Sequence, residues 1–309
     1  MTAVRIATRE SDLALWQARW VAARIESALG AATELVPLTT TGDRLQGSLA
    51  KVGGKGLFVK EVEEALLERR ADVAVHSAKD LPAALRAELA LVAFPQRADP
   101  RDALVTRERG VRLDDLPRGA RVGTGSVRRS AQLLRHRPDL EVVPLRGNVP
   151  TRLAKLEREA LDAVVLACAG LERLSLADRI EERIDPGALL PAVAQGALAI
   201  EARRGDPLAR DLEALDHAPT AARVRAERAF LSELEGDCNV PLAALAEAGA
   251  DGELRVRGLV IAPDGRRVAE AEARVEMGEA ERGGRALARE VLDRGGAEIL
   301  AALRAGSAA

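Results

Sequence analysis

Residues 73–82 read VAVHSAKDLP, and this stretch decides how the chain is interpreted. Its first three residues form an apolar run long enough for a buried strand, and Leu81-Pro82 disfavours continuation as a helix. The polar residues between them would lie at the carboxyl end of a strand, where open α/β sheets bind ligands. There Lys79 and Asp80 would supply a cation for an anionic substrate and a carboxylate for proton transfer. On this stretch alone, a solvated loop is an equally good interpretation.

The segments on both sides of this stretch indicate an α/β fold. Apolar runs at residues 4–7 and 35–38 alternate with amphipathic helical patterns, which is typical of parallel strands covered by helices. Residues 95–100 are a polar crossing segment and the first predicted domain boundary, after which a second series of strands and helices begins. From residue 254 the apolar residues alternate, with a Pro-Asp-Gly turn signal at 263–265. This change of period predicts a third, α+β module with a small antiparallel sheet.

The composition argues against several classes of function. A length of 309 residues predicts two or three domains, at roughly 150 residues each. Aromatic residues are 2% of the chain and the net charge is −2, which disfavours nucleic-acid binding. Two cysteines and three histidines disfavour a zinc site and a disulfide framework. The low cysteine count favours a reducing cytoplasm as the location. Because we see neither a signal-peptide core nor an apolar run of about 18 residues, we expect no membrane binding.

Cationic residues recur at predicted strand ends, helix starts and glycine-rich loops. Residues 121–152 contain seven Arg and two acids, a local balance of +5. In a chain of near-neutral net charge, such a segment indicates a defined anionic ligand. The set of such cations is Arg9, Lys51, Lys55, Lys79, Arg128, Arg129, Arg146, Arg152 and Arg173. If these segments converge, the cations surround the carboxylate of Asp80 and the loop thiol of Cys238. Such a site suits a substrate with several carboxylates.

Two basic segments carry a specific local argument. Residues 121–129 read as a strand, a small-residue turn and a helix start, and helix amino termini favour anions. Arg128 and Arg129 oppose that helix dipole unless an anion lies there, so we favour a binding role over a solvated face. Residues 51–58, KVGGKGLF, lack the full Walker spacing and predict a basic, lid-like loop rather than a nucleotide site. Phe58 is either part of the core or the aromatic edge of a pocket.

The two cysteines are predicted to differ. Cys168 follows an apolar run, which indicates a small buried side chain. Cys238 lies in a polar loop, where it is either a covalent attachment point or again a small buried residue.

Seven motifs, in order along nearly the whole chain, make the sequence resemble the porphobilinogen deaminase family. They are RIATRES (5–11), KVGGKGLFVK (51–60), HSAKDLP (76–82), RR (128–129), LRGN (145–148), LPAVAQG (190–196) and CNVP (238–241). The resemblance implies two α/β domains with mixed sheets, built like a periplasmic binding protein with the active cleft between them. These would be residues 1–96 plus 197–215 and residues 101–192. It also implies a C-terminal α+β domain of residues 218–309, which carries the cofactor cysteine.

The same resemblance implies a transferase of tetrapyrrole (porphyrin and haem) biosynthesis, hydroxymethylbilane synthase. Such an enzyme joins four porphobilinogen units, with release of ammonia, onto a covalently bound dipyrromethane primer and releases the linear tetrapyrrole. By residue match, Cys238 and not Cys168 holds the dipyrromethane cofactor through a thioether, and Asp80 is the catalytic residue. A single carboxylate can suffice, because the leaving nitrogen needs a proton and the azafulvene cation left behind needs a counter-charge.

The residue match also implies a set of ligand-binding residues. The cofactor- and substrate-binding residues would be Arg9, Ser11, Phe58, Ser77, Lys79, Thr124, Ser126, Arg128, Arg129, Arg146, Arg152, Arg173 and Gln195. Lys51 and Lys55 would belong to a mobile loop over the cleft, and we expect no metal site. Porphobilinogen is the expected small-molecule partner, and the protein is expected to be a monomer.

The sequence departs from the family pattern at two places. Asp237 precedes Cys238 where a second glycine is usual, and its carboxylate disfavours the thiolate. Gly125 stands where serine is common, so one hydroxyl donor would be missing unless a backbone N–H replaces it. The alternative to the enzyme is a two-lobed, non-catalytic anion-binding module of the periplasmic-binding-protein type.

Overall fold

The computed structural model describes residues 3–40, 59–235, 240–249 and 252–306. The packing of the chain divides it into two units. Unit 1 consists of Met1–Ala98 and Ala197–Val224, and unit 2 consists of Asp99–Gly196 and Arg225–Ala309.

Strands and helices alternate through most of the chain, as the sequence pattern predicts. The first segment contains β1 (Val4–Arg9), α1 (Asp12–Leu29), β2 (Thr33–Leu38), α2 (Lys60–Leu67), β3 (Val73–Ser77), a 3₁₀ turn (Ala78–Asp80) and β4 (Leu89–Ala93). The second contains β5 (Asp102–Thr106), β6 (Arg121–Thr124), α3 (Val127–His136), β7 (Glu141–Pro144), α4 (Val149–Arg158), β8 (Ala163–Ala167), α5 (Cys168–Arg173), a 3₁₀ turn (Ala177–Arg179) and β9 (Glu182–Arg183). The third contains β10 (Leu198–Arg203), α6 (Pro207–Asp211), a 3₁₀ turn (Leu212–Leu215), α7 (Ala218–Glu233), β11 (Leu242–Ala248), β12 (Glu253–Ile261), β13 (Val268–Glu276), a 3₁₀ turn (Met277–Glu279), α8 (Ala280–Val291), a π turn (Leu292–Gly296) and α9 (Ala297–Gly306).

Unit 1 is built on a five-stranded mixed sheet in the order β2-β1-β3-β10-β4. β1 is parallel to β2 and β3, whereas β10 runs antiparallel to β3 and β4. The first four residues of β3 are buried, as expected of a strand covered on both faces. Because β1 and β3 are parallel neighbours, Arg9 and Ser77 end their strands at the same edge of the sheet.

Unit 2 contains a second mixed sheet with the same arrangement, in the order β7-β6-β8-β5-β9. β6 is parallel to β7 and β8, and β5 runs antiparallel to β8 and β9. The carboxyl ends of β6, β7 and β8 therefore meet at one edge. Two sheets of this kind confirm the predicted α/β class with mixed sheets.

The C-terminal part of unit 2 is a three-stranded antiparallel sheet, β11-β12-β13, with helices beside it. The turn between β12 and β13 closes where the Gly265 N–H donates to the Ala262 carbonyl over 2.8 Å. Gly265 has a φ of +74°, which glycine adopts without steric cost. The change from helical to alternating period thus predicted this small α+β module correctly.

Candidate active site

One side of the candidate site in unit 1 is the junction between β1 and α1. Arg9 ends β1, and Ser11 caps α1, where its side chain accepts a hydrogen bond from the Ala14 N–H over 3.4 Å. The Thr8 hydroxyl donates to the Ala14 carbonyl over 3.1 Å and ties the strand end to the first helical turn. A guanidinium and the positive end of a helix dipole therefore lie at one edge of the sheet, which favours an anion there.

The other side is the carboxyl end of β3. Ser77 ends the strand, and the 3₁₀ turn that follows carries Lys79 and Asp80. The Ala78 N–H donates to the carbonyl of Ala197, the residue before β10, over 3.0 Å, which anchors this turn beside β10. Asp80 is exposed and Lys79 is partly buried, so the carboxylate is accessible to a ligand.

A single pocket joins the two sides. Its lining residues are Arg9, Ser11, Leu13, Ala14, Gln17, Val59, Val62, Val75, His76, Ser77 and Asp80. Four of them are residues singled out in the sequence, namely Arg9, Ser11, Ser77 and Asp80. Five of the eleven lining residues are apolar and six are polar, and convergent polar groups set against apolar walls are typical of small-molecule sites. The structure therefore brings a cation, two hydroxyl groups and a carboxylate to one pocket.

Two polar residues of this pocket, Gln17 and His76, were not among the residues singled out. Gln17 is buried on α1, and its Nε2 donates to the Ser77 hydroxyl over 2.9 Å. The Nε2 atom of His76 lies 2.9 Å from Glu201 Oε2. The sequence could have indicated Gln17 as a pocket residue, because it is a polar amide on the otherwise apolar face of a predicted helix. His76 stands in the HSAKDLP motif, but its partner on β10 is 125 residues away in sequence.

The polar residues of unit 2 lie at the carboxyl ends of the parallel strands. Thr124 ends β6, Arg146 follows β7, and Arg173 ends α5, which directly follows β8. Ser126 caps α3 by accepting a hydrogen bond from the Arg129 N–H over 3.4 Å, and the Thr124 hydroxyl accepts one from the Ser126 N–H over 3.3 Å. The predicted strand, turn and helix start at residues 121–129 is confirmed.

Arg128 and Arg129 bind a carboxylate of the chain itself. Arg128 Nη2 lies 2.8 Å from Asp102 Oδ2, and Arg129 donates from Nη2 and Nε to Asp102 Oδ1 over 2.7 and 3.0 Å. Arg128 is 4% exposed, Arg129 is 5% exposed and Asp102 is 0% exposed. Burial on its own raises the pKa of Asp102, but the two guanidinium groups outweigh burial and hold that pKa well below its ordinary value. Within this trio, two cations face one anion, so a buried excess of one positive charge is left.

Gln195 joins the same network. Its Nε2 donates to Asp102 Oδ1 over 2.9 Å and to the Pro100 carbonyl over 2.8 Å. Ala194, the preceding residue, has a φ of +57° and donates its N–H to the buried carboxylate of Glu227 over 2.6 Å. The strained turn at Ala194 thus positions Gln195 of the LPAVAQG motif, and the buried carboxylate of Glu227 holds this turn in place.

The remaining cations of unit 2 differ in burial. Arg173 is buried, and Nη2 donates to the Gly196 carbonyl over 2.7 Å, while burial lowers the pKa of the guanidinium to about 10. Arg152 is partly buried and donates from Nε to the Gly147 carbonyl over 2.7 Å, whereas Arg146 is exposed. The guanidinium groups at this edge of the sheet therefore range from exposed to buried.

Comparison with known proteins finds matches along most of the chain. Residues 4–211 match the family model described as porphobilinogen deaminase, dipyromethane cofactor binding domain, and residues 221–293 match its C-terminal domain. A porphobilinogen deaminase of Syntrophotalea carbinolica is 52% identical over 305 residues, which are 98% of this chain and 96% of that protein. This chain belongs to the porphobilinogen deaminase family.

Solved structures of other proteins are more distantly similar to this porphobilinogen deaminase family member. The VFT2 domain of Bordetella pertussis BvgS has a TM-score of 0.43 at 19% identity, over 69% of this chain and 86% of that domain. The periplasmic aliphatic sulphonate binding protein SsuA from Escherichia coli has a TM-score of 0.40 at 17% identity, over 75% of this chain and 69% of that protein.

The donor set fits the dipyrromethane cofactor of the porphobilinogen deaminase family. Each of its pyrrole rings carries carboxylate side chains, so the cofactor requires several cations. The buried positive charge beside Asp102 and the buried Arg173 would supply such cations, and Ser126 with the amino end of α3 would add hydrogen-bond donors and a favourable dipole.

Several predicted residues of this family member lie outside the described residues. They are Lys51, Lys55, Phe58, Asp237 and Cys238. The other cysteine, Cys168, is buried as predicted, and burial raises the pKa of its thiol to about 12. An inert thiol of this kind is unsuited to covalent attachment at neutral pH.

Gly125 has a steric reason to depart from the serine that is common in the porphobilinogen deaminase pattern. A Cβ atom at this position would overlap the carbonyl oxygen of Leu145, and the next nearest group is Arg152 Nη2 at 3.9 Å. The β6–α3 turn in this chain therefore excludes a side chain at residue 125.

Neither a membrane-spanning helix nor a metal-binding cluster is found in residues 3–40, 59–235, 240–249 and 252–306. Within them, no helix is both long and apolar enough to cross a membrane. The same ranges contain no cluster of three or more His, Cys, Asp or Glu side chains that could hold a metal ion.

Proposed function

We propose that the protein is hydroxymethylbilane synthase, which joins four porphobilinogen units with release of ammonia and delivers a linear tetrapyrrole to porphyrin and haem biosynthesis. The observation that carries this proposal is the pocket of unit 1, where Asp80 and Arg9 line one cavity. The reaction needs a proton donor beside a cation that binds substrate carboxylates, and membership of the family supports the same assignment.

Asp80 is the proposed catalytic residue. Its carboxyl group donates a proton to the leaving amine, so that the C–N bond breaks with its electron pair on nitrogen. The carboxylate that remains then stabilises the cation formed on the substrate. Arg9, Lys79 and the hydroxyl groups of Ser11 and Ser77 orient the substrate by binding its acetate and propionate groups.

The dipyrromethane, when bound, supplies the pyrrole carbon to which the first substrate unit is joined. Its carboxylates are bound by residues of unit 2, which we propose to be Thr124, Ser126, Arg128, Arg129, Arg146, Arg152, Arg173 and Gln195. Asp102 supports this role because it holds two of these guanidinium groups in place before a ligand arrives.

The remaining features are proposals that follow from the family pattern. Cys238 holds the cofactor through a thioether, Phe58 contacts the ligands, and Lys51 and Lys55 belong to a mobile loop. We also propose a division into three domains, residues 1–96 plus 197–215, 101–192 and 218–309. The protein is proposed to be a cytoplasmic monomer.

The experiment that tests the function is direct turnover. Purified holo-protein is incubated with porphobilinogen, and ammonia and uroporphyrin are measured over time. We expect four ammonia molecules per tetrapyrrole. Binding of porphobilinogen without release of ammonia would instead identify a non-catalytic anion-binding module and would contradict the proposal.

A further inference from the structure

A buried acid–base pair borders the pocket of unit 1 and has no role in the mechanism above. His76 lines the pocket from β3, and its Nε2 lies 2.9 Å from Glu201 Oε2 on β10. His76 is 7% exposed and Glu201 is 0% exposed. Among the residues that the structure describes, this is the one hydrogen bond of the imidazole ring. Nδ1 is therefore the ring nitrogen left for a ligand in the pocket.

More buried polar groups lie around this pair than a hydrogen bond between β3 and β10 would need. Glu201 Oε1 is buried without a hydrogen-bond partner in the described part of the chain. An unpaired buried polar atom destabilises a fold, and native structures keep few of them. Glu63 is also buried, and burial, followed by the charge of Glu201, raises its pKa. Arg86 approaches this second acid, with Nε 3.1 Å from Glu63 Oε2. The imidazole thus contacts one buried carboxyl group, and a second buried carboxyl group with its guanidinium partner lies near the first.

The proposed reaction releases a proton at a second place. When a new C–C bond forms, the pyrrole carbon that attacks still carries a hydrogen. That C–H bond must break, and its electron pair returns to the ring and restores aromaticity. Once the C–C bond has formed, the positive charge lies on the attacking ring, and the Asp80 carboxylate serves as its counter-charge. A second proton acceptor in the same pocket would serve this step.

We propose that His76 Nδ1 accepts the proton from the attacking pyrrole carbon and that Glu201 is a positioning residue that orients the imidazole. This inference rests on the proposed function. A carboxylate bound to one nitrogen of a histidine fixes its tautomer and stabilises the imidazolium that forms when the other nitrogen takes a proton. Protons balance over one addition, because Asp80 gives one to the leaving amine and His76 takes one from the ring. His76 then passes its proton back to Asp80, which lines the same pocket.

The first test uses His76→Gln and porphobilinogen that carries deuterium at its free α-carbon. We expect kcat to fall about 100-fold, the lower end of what a general base contributes. Deprotonation should then limit the rate, so the variant should show a primary isotope effect that the wild type lacks. A merely structural role would lower the amount of folded protein but would produce no isotope effect. A slow variant without an isotope effect, or a variant with wild-type turnover, would overturn the inference.

Two further variants keep the test decisive. Glu201→Gln preserves the shape of the side chain and removes its charge, and it should show the same isotope effect with a smaller loss of kcat. If His76→Gln does not fold, this variant decides, and wild-type kinetics in it would overturn the inference. His217→Gln is the matched control, because His217 is a partly buried histidine of unit 1 whose Nδ1 lies 2.9 Å from the Thr220 hydroxyl. It should leave kcat and the isotope effect unchanged.

A spectroscopic measurement gives a readout that is independent of turnover. The chain has three histidines, so 15N-histidine spectra of the holo-protein can be assigned with the variants above. We expect the tautomer of His76 that carries its proton on Nε2, facing Glu201, and leaves Nδ1 as the acceptor. A proton on Nδ1 would contradict the inference. If the wild type itself shows no turnover, the proposed function fails, whereas turnover with the wrong tautomer defeats only the role of His76.

Discussion

The two units of the molecule arrange their charged residues in opposite ways. In unit 1, Asp80 is exposed on a 3₁₀ turn beside a pocket that Arg9 also lines. In unit 2, Arg128 and Arg129 are buried and both bind the buried carboxylate of Asp102. An accessible acid can exchange protons with a ligand, whereas a buried and hydrogen-bonded cation keeps its charge and its position. The comparison indicates that unit 1 offers an acid able to exchange a proton with a ligand, whereas the guanidinium pair of unit 2 is built to keep a fixed charge.

Asp80→Asn is the change with the largest expected effect on activity. The amide has the same shape but cannot donate the proton, so kcat should fall by at least about 100-fold. Because Asp80 is exposed, the urea midpoint of unfolding should stay the same. Turnover of porphobilinogen and urea denaturation measure both effects. Glu88→Gln, at an exposed acid of the same unit, is the control, and turnover of Asp80→Asn within tenfold of wild type would remove Asp80 from its role.

Asp102→Asn should have the largest effect on stability. It leaves two buried guanidinium groups without their carboxylate, which is expected to lower the free energy of unfolding by about 3–5 kcal/mol. The control is Glu281→Gln, which breaks an exposed pair with Arg285 and should cost roughly 0.3–0.5 kcal/mol. Chemical denaturation compares the two variants. Equal losses in the free energy of unfolding would show that burial does not determine the cost of removing a charge in unit 2.

Asp102 also determines part of the response to acid. Burial on its own raises the pKa of Asp102, but Arg128 and Arg129 hold it below its ordinary value in the folded state. A group with a depressed folded pKa stabilises the fold above its unfolded pKa of roughly 3.9, and this contribution is lost as pH falls toward the folded pKa. When thermal unfolding is measured between pH 6 and pH 3, Asp102→Asn should therefore lose less stability than the wild type as the pH falls. Parallel pH profiles would contradict this cause.

Gly125→Ser tests the smallest of these effects. The added Cβ would overlap the Leu145 carbonyl, so the β6–α3 turn must shift, with an expected loss of about 1–3 kcal/mol. Gly278→Ser is the matched control, because a Cβ there meets nothing within 4 Å. Denaturation measures both variants. Equal stability of the two variants would mean that serine is tolerated in the β6–α3 turn and that the absence of serine at residue 125 has no steric cause.

The sequence predicted those features that depend on local order. Apolar runs followed by polar residues predicted the ends of β1 and β3, and a small-residue turn predicted the amino end of α3. The alternating pattern from residue 254 predicted the antiparallel sheet. Each of these signals lies within about ten residues and follows from side-chain period and capping preference.

The features that the sequence did not predict depend on contacts between distant segments. Arg128 and Arg129 were expected to require an anion, but the partner is Asp102, which begins a strand 26 and 27 positions earlier in the chain. Its role appears only when the sheet order places β5 beside β8. Glu201 likewise reaches His76 because β10 returns to pair with β3. From the sequence alone, without the strand order, the partner of an acidic residue at the start of an apolar run cannot be identified.

The central claim, that this chain builds tetrapyrrole on a primer attached to Cys238, is tested most directly by the intact mass of the purified protein. We expect wild-type protein, and equally Cys168→Ala, to exceed the mass of the plain chain by two linked pyrrole units and to gain further units on brief mixing with porphobilinogen. Cys238→Ala should have the plain mass before and after mixing. A wild-type protein of plain mass that does not change with porphobilinogen would contradict the account.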